Sequence, residues 1–234
     1  MDAPMNPEPL LAEELLLLLL DDETGAAEAA TYSEYLFGGA HLTELALGGH
    51  LETREGEGWF AQAKVHPVEH LAPPADPLLR TAYDKVAEKP RSAHTLVYVV
   101  GARSRAALLD RLVERGLVRR EKDKVLGLFP RTRHPATDST HEDEVRRAID
   151  AVLLDGAEPD ERTGALVSLL HAVGEAQKVS SRKDVPARDV RRRAKEVAES
   201  GGWAPDAVRD AVQGTQAAIA TSIAAAGVAA AGSS

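Results

Sequence analysis

The sequence predicts a mainly α fold: a single-domain helix bundle with flanking helices and two short β-hairpins. Three observations predict it. Apolar residues make up 44% of the chain but aromatics only 4%, so aliphatic residues and Ala carry the apolar fraction, as in helical proteins rather than β-sandwiches. Apolar residues fill whole segments or recur at helical spacing along most of the chain. Turn signals flanked by short strand-like runs occur at two places only. The 234 residues suffice for one domain with a sizeable core, placed over residues 8–230, with 1–7 and 231–234 as mobile termini.

Each element has a local reason. Residues 9–20 are apolar on nearly every face and include Leu15 to Leu20, so this helix belongs in the core. Pro9 suits its first turn, and Gly25 follows its end. LFGGAHLTELAL (36–47) is a second helix, in which Gly38, Gly39 and Ala40 suit close approach of another helix. Gly56-Glu57-Gly58 marks a turn between strands 50–55 and 59–65, the first hairpin. Pro67, Pro73, Pro74 and Pro77 punctuate a loop before a helix over 76–88. HTLVYVV (94–100) fits either a strand or a buried helix, because periodicity does not separate the two at this length. Residues 102–115 form an amphipathic helix with an apolar stripe of Leu108, Leu109, Leu112 and Val113, closed by Gly116. Two short strands then flank the turn Lys122-Asp123-Lys124, the second hairpin. Helices follow over 141–154, 160–177, 186–199 and 205–230, with Gly201, Gly202 and Pro205 marking the last break.

Charge is unevenly distributed. The formal net charge is −9, yet residues 1–60 sum to −12 and residues 101–134 to +6. The basic segment suits phosphates, whether of lipid or nucleic acid. The chain has no Cys, which excludes disulfides, zinc–thiolate sites and thiol nucleophiles and fits a reducing cytoplasm. Arg outnumbers Lys 20 to 8 in an Ala-rich chain, the bias of a GC-rich bacterial genome. The first basic residue is Arg54, so no secretory signal is expected, and six leucines between acids are too few to span a bilayer.

Motifs of catalysis are scarce. No P-loop, GxGxxG or GxSxG pattern occurs. His66, Glu69 and His70 follow the H-x-x-E-H pattern of a zinc-peptidase class, but Pro67 moves His66 off a shared helical face. Two surface histidines beside a Pro-started turn are expected instead. Asp21, Asp22 and Glu23 read as a solvated helix end rather than a Mg²⁺ site. The expectation is therefore a non-enzymatic chain with no catalytic residue, no metal and no cofactor. The basic run is the better candidate. Arg103 and Arg105 open the amphipathic helix, where unpaired backbone N–H groups favour an anion. Arg119, Arg120, Lys122 and Lys124 cluster around the following hairpin and form a wider basic patch. The helix and hairpin also have the look of a winged helix, so an alternative is a nucleic-acid-binding or regulatory scaffold protein.

Taken in order, LLLLLLDDETG (15–25), GGAHLTELALGGHL (38–51) and LLDRLVERGLVRREKDKVLGLFPRTRHP (108–135) resemble the Golgi phosphoprotein 3 family. The resemblance implies a mostly helical domain and a peripheral membrane protein that binds phosphatidylinositol 4-phosphate. Carried over without gaps, the family's pocket Trp falls on Ala29 and its first Arg on Gly38, and its second Arg pair falls on Ala102 and Arg105, with Arg103 beside the former. The expected partners are anionic membrane lipid, cytoplasmic tails of membrane proteins, and a second copy of the chain through a hairpin, with nucleic acid only under the alternative. The expected location is the cytoplasm, at the inner face of the membrane.

Overall fold

The computed structural model describes residues 8–20, 33–55, 63–125, 129–137, 139–182, 184–202, 204, 213–221 and 224. The expected termini 1–7 and 231–234, the turn Gly56–Gly58, the acids Asp21–Glu23 and position 29 lie outside these residues. The described residues are mainly helical, with two short antiparallel strand pairs.

At the centre is α1 (Leu11–Leu19), whose nine residues are all buried. It packs against α2 (Ser33–Leu47), α5 (Ser104–Glu114), α6 (Thr140–Leu153) and α7 (Glu161–Ala172). Apart from Glu13 and Glu14 the helix is apolar all round and has no side for water, which is why it becomes the core around which the others gather. Leu20 leaves the helix in an extended conformation.

Helix α2 meets α4 (Ala93–Gly101) backbone to backbone. A Cβ at Gly38 would overlap the carbonyl oxygen of Val97, and one at Gly101 would overlap that of Glu34. The two glycines thus let one backbone rest on the other, as the run Gly38-Gly39-Ala40 implied. This pairing also resolves segment 94–100. It is a helix, with Leu96, Val97 and Val100 buried on one side.

The first hairpin pairs β1 (Leu51–Arg54) with β2 (Lys64–Pro67), Leu51 opposite Pro67. The second strand overlaps the end of the expected 59–65 and runs on to Pro67, while residues 59–62 lie outside the described residues. Val65 also bonds to the Arg91 carbonyl at 3.0 Å, which draws pairing toward the start of α4. Next, α3 (Pro77–Glu88) begins where Asp76 accepts from the N–H groups of Leu78 and Leu79, at 2.9 and 3.2 Å. Gly116 closes α5 with a left-handed φ of 74°.

The second hairpin pairs β3 (Glu121–Val125) with β4 (Phe129–Arg133), Val125 opposite Phe129. The expected turn Lys122-Asp123-Lys124 is instead strand. A tight hairpin turn favours Gly or Asn; that segment has neither, whereas the connection 126–128 contains Gly127. Helix 160–177 is broken into α7 and α8 (Ala176–Val179) by Gly174, at φ 75°. α9 (Ala187–Ser200) follows, ended by left-handed Gly201. Of 205–230, residues 213–221 are helical, and most of the remainder lies outside the described residues. Among the described residues no helix is long and apolar enough to cross a membrane.

Candidate anion-binding site

Helices α4 and α5 are joined by Ala102 and Arg103 alone. The reversal forces Arg103 into the left-handed region, φ 66°, the one non-glycine to do so among the described residues. Its side chain is exposed, and no hydrogen bond or ion pair engages it among the described residues. Arg105 follows in the first turn of α5, half-buried, with a buried Nε that has no hydrogen-bond partner. Both residues thus stand at the N-terminal end of a helix, where the backbone dipole disfavours cations. An anion there would satisfy the arginines and the N–H groups together.

The wider basic patch divides. Arg119 is paired with Glu121 at 2.6 Å and donates to the Ala136 carbonyl at 3.3 Å. Arg120 is paired with Asp110 of α5. Lys122 is exposed on β3, and the side chain of Lys124 lies outside the described residues. One further basic residue was not singled out from the sequence. His134 is half-buried just after β4, and its pKa is lowered by burial and by the charges of Arg120 and Arg105, against Asp110. The pairing register of the hairpin, invisible in composition, is what brings it to the junction.

The acids of the N-terminal segment serve a different purpose. Glu13, fully buried, is held by Arg111 at 3.2 Å and Arg115 at 2.8 Å, and Arg111 also reaches Asp76 at 2.7 Å. Glu14 meets Arg162 at 2.9 Å and His141 at 3.2 Å, and Arg162 meets Glu44 at 3.2 Å. Burial raises the pKa of both Glu14 and Glu44, with Arg162 opposing it. These are internal ties of α1 to its neighbours. They remove Arg111 and Arg115 from the surface charge of α5, although an open groove of about 530 Å³ between α3 and α5 is lined by both.

The other sequence candidates do not assemble. His66 lies in β2, Glu69 and His70 are exposed in the turn after it, and Glu69 faces Arg54 at 3.6 Å. No three His, Asp or Glu residues converge as a metal site among the described residues. Position 38, where the resemblance puts an arginine, is a glycine pressed on the α4 backbone with no room for a side chain.

Compared with curated proteins, the chain matches none. The sequence model of Golgi phosphoprotein 3 (GPP34) matches residues 11–215, from the central helix α1 to the helix after α9. That span takes in α1, the glycine-paired α2 and α4, the basic junction and the second hairpin, and the chain accordingly belongs to the Golgi phosphoprotein 3 family.

Proposed function

We propose that this chain is a non-enzymatic peripheral membrane protein that binds anionic lipid headgroups at the α4–α5 junction. One observation carries the proposal. Arg103 and Arg105 stand at a helix N-terminus with no hydrogen bond or ion pair among the described residues, one of them on a left-handed backbone. Nothing in folding rewards that arrangement, whereas a bound phosphate would. Each Lys or Arg held near an anionic surface is worth roughly 1 kcal/mol, so the pair with Lys122 supports reversible attachment. Family membership is consistent with a phosphatidylinositol 4-phosphate ligand. The closed position 38 and Ala102 favour charge-driven binding with little headgroup selectivity.

Vesicle co-sedimentation tests it. The chain binds vesicles containing phosphatidylglycerol and not pure phosphatidylcholine. Arg103→Ala with Arg105→Ala weakens that binding and leaves thermal stability nearly unchanged. Equal, negligible binding to both vesicles sinks the proposal. Strong preference for phosphatidylinositol 4-phosphate over phosphatidylglycerol at equal charge contradicts the low selectivity.

A second reading has one observation in its favour. α4, a two-residue turn, α5 and a hairpin follow each other as in a winged helix. The exposed Asp110 and Glu114 on α5 oppose a nucleic-acid backbone. A salt-dependent shift of duplex DNA, absent from the double variant, would favour it over lipid.

A further inference from the structure

The base of the second hairpin faces the start of α5. Glu121 pairs with Arg133 and Val118 bridges Ala136, so the register sets Arg120 opposite His134. The Arg119 N–H donates to the Pro135 carbonyl at 3.0 Å and holds that register. Residues opposite one another in an antiparallel ladder carry their side chains on the same side. Arg120 reaches from there to Asp110 of α5, tying the hairpin base to the helix that Arg105 opens. Arg120, Arg105 and Asp110 all lie close enough to act on the charge of His134, and the buried Nε of Arg105 has no hydrogen-bond partner among the described residues.

We infer that His134 is a third binding group of this junction and engages the phosphate of a membrane lipid as the imidazolium, beside Arg105 and Arg120. The inference rests on the lipid-headgroup reading above. In the unliganded chain, burial disfavours the charged ring, Arg120 and Arg105 repel a proton, and Asp110 alone favours one. A phosphate among the arginines cancels their net positive charge and adds a partner that favours the charged ring. The ring then takes a proton from solution, and both its nitrogens become donors. Binding therefore tightens as pH falls, by proton linkage. The neighbouring charges do not supply this dependence: Arg119 is paired with Glu121, and Arg133 lies 4.0 Å from the same carboxylate.

The test uses the full chain with vesicles of one part phosphatidylglycerol to two parts phosphatidylcholine, at pH about 7.5 and about 5.5. All forms bind better at the lower pH because the acidic chain loses negative charge, so the comparison is with His134→Gln and His134→Asn. The wild-type gain exceeds theirs by about threefold to tenfold, since one pKa unit is a factor of ten. Equal gains, with vesicle binding intact, overturn the role of His134 and leave the lipid reading standing. Absence of wild-type binding at both pH values overturns the lipid reading and the inference with it. Proton uptake by the wild-type chain on mixing with the vesicles, read with an indicator dye, needs no variant, and no uptake overturns the inference even if both variants misfold. Inorganic phosphate separates the two sources of the anion. It displaces the chain no better than chloride of equal ionic strength if the ligand is a lipid surface, and selective displacement assigns the site to free phosphate instead.

Discussion

Arg103 occupies a backbone conformation (φ 66°) that costs an L-residue about 1–2 kcal/mol, and glycine adopts it without that penalty. Arg103→Gly is therefore expected to raise stability by about 0.5 kcal/mol, net of glycine's greater unfolded-state entropy, while weakening vesicle binding. Urea melts and vesicle titrations of the same sample check both halves, and a loss of stability would show that the arginine serves the fold. The glycines of α2 illustrate the same scale. A Cβ at Gly38 meets a backbone carbonyl that cannot move, whereas a Cβ at Gly39 meets Ile219 Cδ1 at 2.6 Å, the end of a side chain that can. Gly38→Ala should cost stability at or above the top of the ~1–3 kcal/mol range for overpacking, and Gly39→Ala distinctly less. Equal costs in denaturant titrations would mean that α2 and α4 are not in backbone contact. The need for small residues here was legible in the sequence, but which of them touches backbone was not.

Helix α1 shows how an element can carry charge into a core. Its Glu13 accepts from the Leu10 N–H at 2.9 Å at the helix start and holds Arg111 of α5 and Arg115 at that helix's end. Removing that charge takes the buried carboxylate from Arg111, which keeps Asp76, and from Arg115, both mostly buried, and breaking such an internal pair costs up to about 3–5 kcal/mol. Glu13→Gln is expected to lower the unfolding free energy by that order. Arg119→Ala, which breaks the exposed pair with Glu121, should change it by about 0–1 kcal/mol. Parallel denaturation of the two variants checks the contrast. In the sequence Glu13 and Glu14 read as the polar boundary of a leucine run, because the bases that neutralise them are distant in the chain. The second hairpin erred the other way. Its existence is legible, but the charged segment Lys122–Lys124, which reads as the turn, is strand.

For the whole molecule, the pH dependence of stability sums groups of opposite sign. His41, in α2, is buried, and burial pushes its pKa from 6.5 down to about 4, with smaller opposing influences from the charges of Asp76 on one side and Lys85 and Arg111 on the other. The folded chain thus disfavours the imidazolium. The stability at stake is fully present above pH 6.5 and is lost as pH falls toward 4, about 3 kcal/mol in all. Glu14 and Glu44 act oppositely: burial raises their folded pKa, so their contribution falls as pH rises from 4.5. Between pH 6.5 and 4 the wild type is expected to lose about 3 kcal/mol more than His41→Leu. Denaturant melts across that range decide it, and parallel curves would remove His41 from the account.

Local pattern alone determined the helical class, the burial of the leucine helix, the small-residue contact of α2 and the position of Arg103 and Arg105 at the start of α5. Those follow from propensity and periodicity, which act over one or two helical turns, and the ordered motifs that carry the family resemblance are local in the same sense. The tertiary structure decided that segment 94–100 is a helix, since a strand there could not lay Gly101 on the backbone of α2. It also decided which basic residues are available to an anion. Arg111 and Arg115 are engaged by Glu13 across separations of 98 and 102 residues, Arg120 is bound to Asp110, and His134 is set opposite Arg120 by strand register. A charge in a sequence has no partner until packing places one beside it, so the basic segment was visible in the chain, and its division into internal ties and an open site arose only on folding.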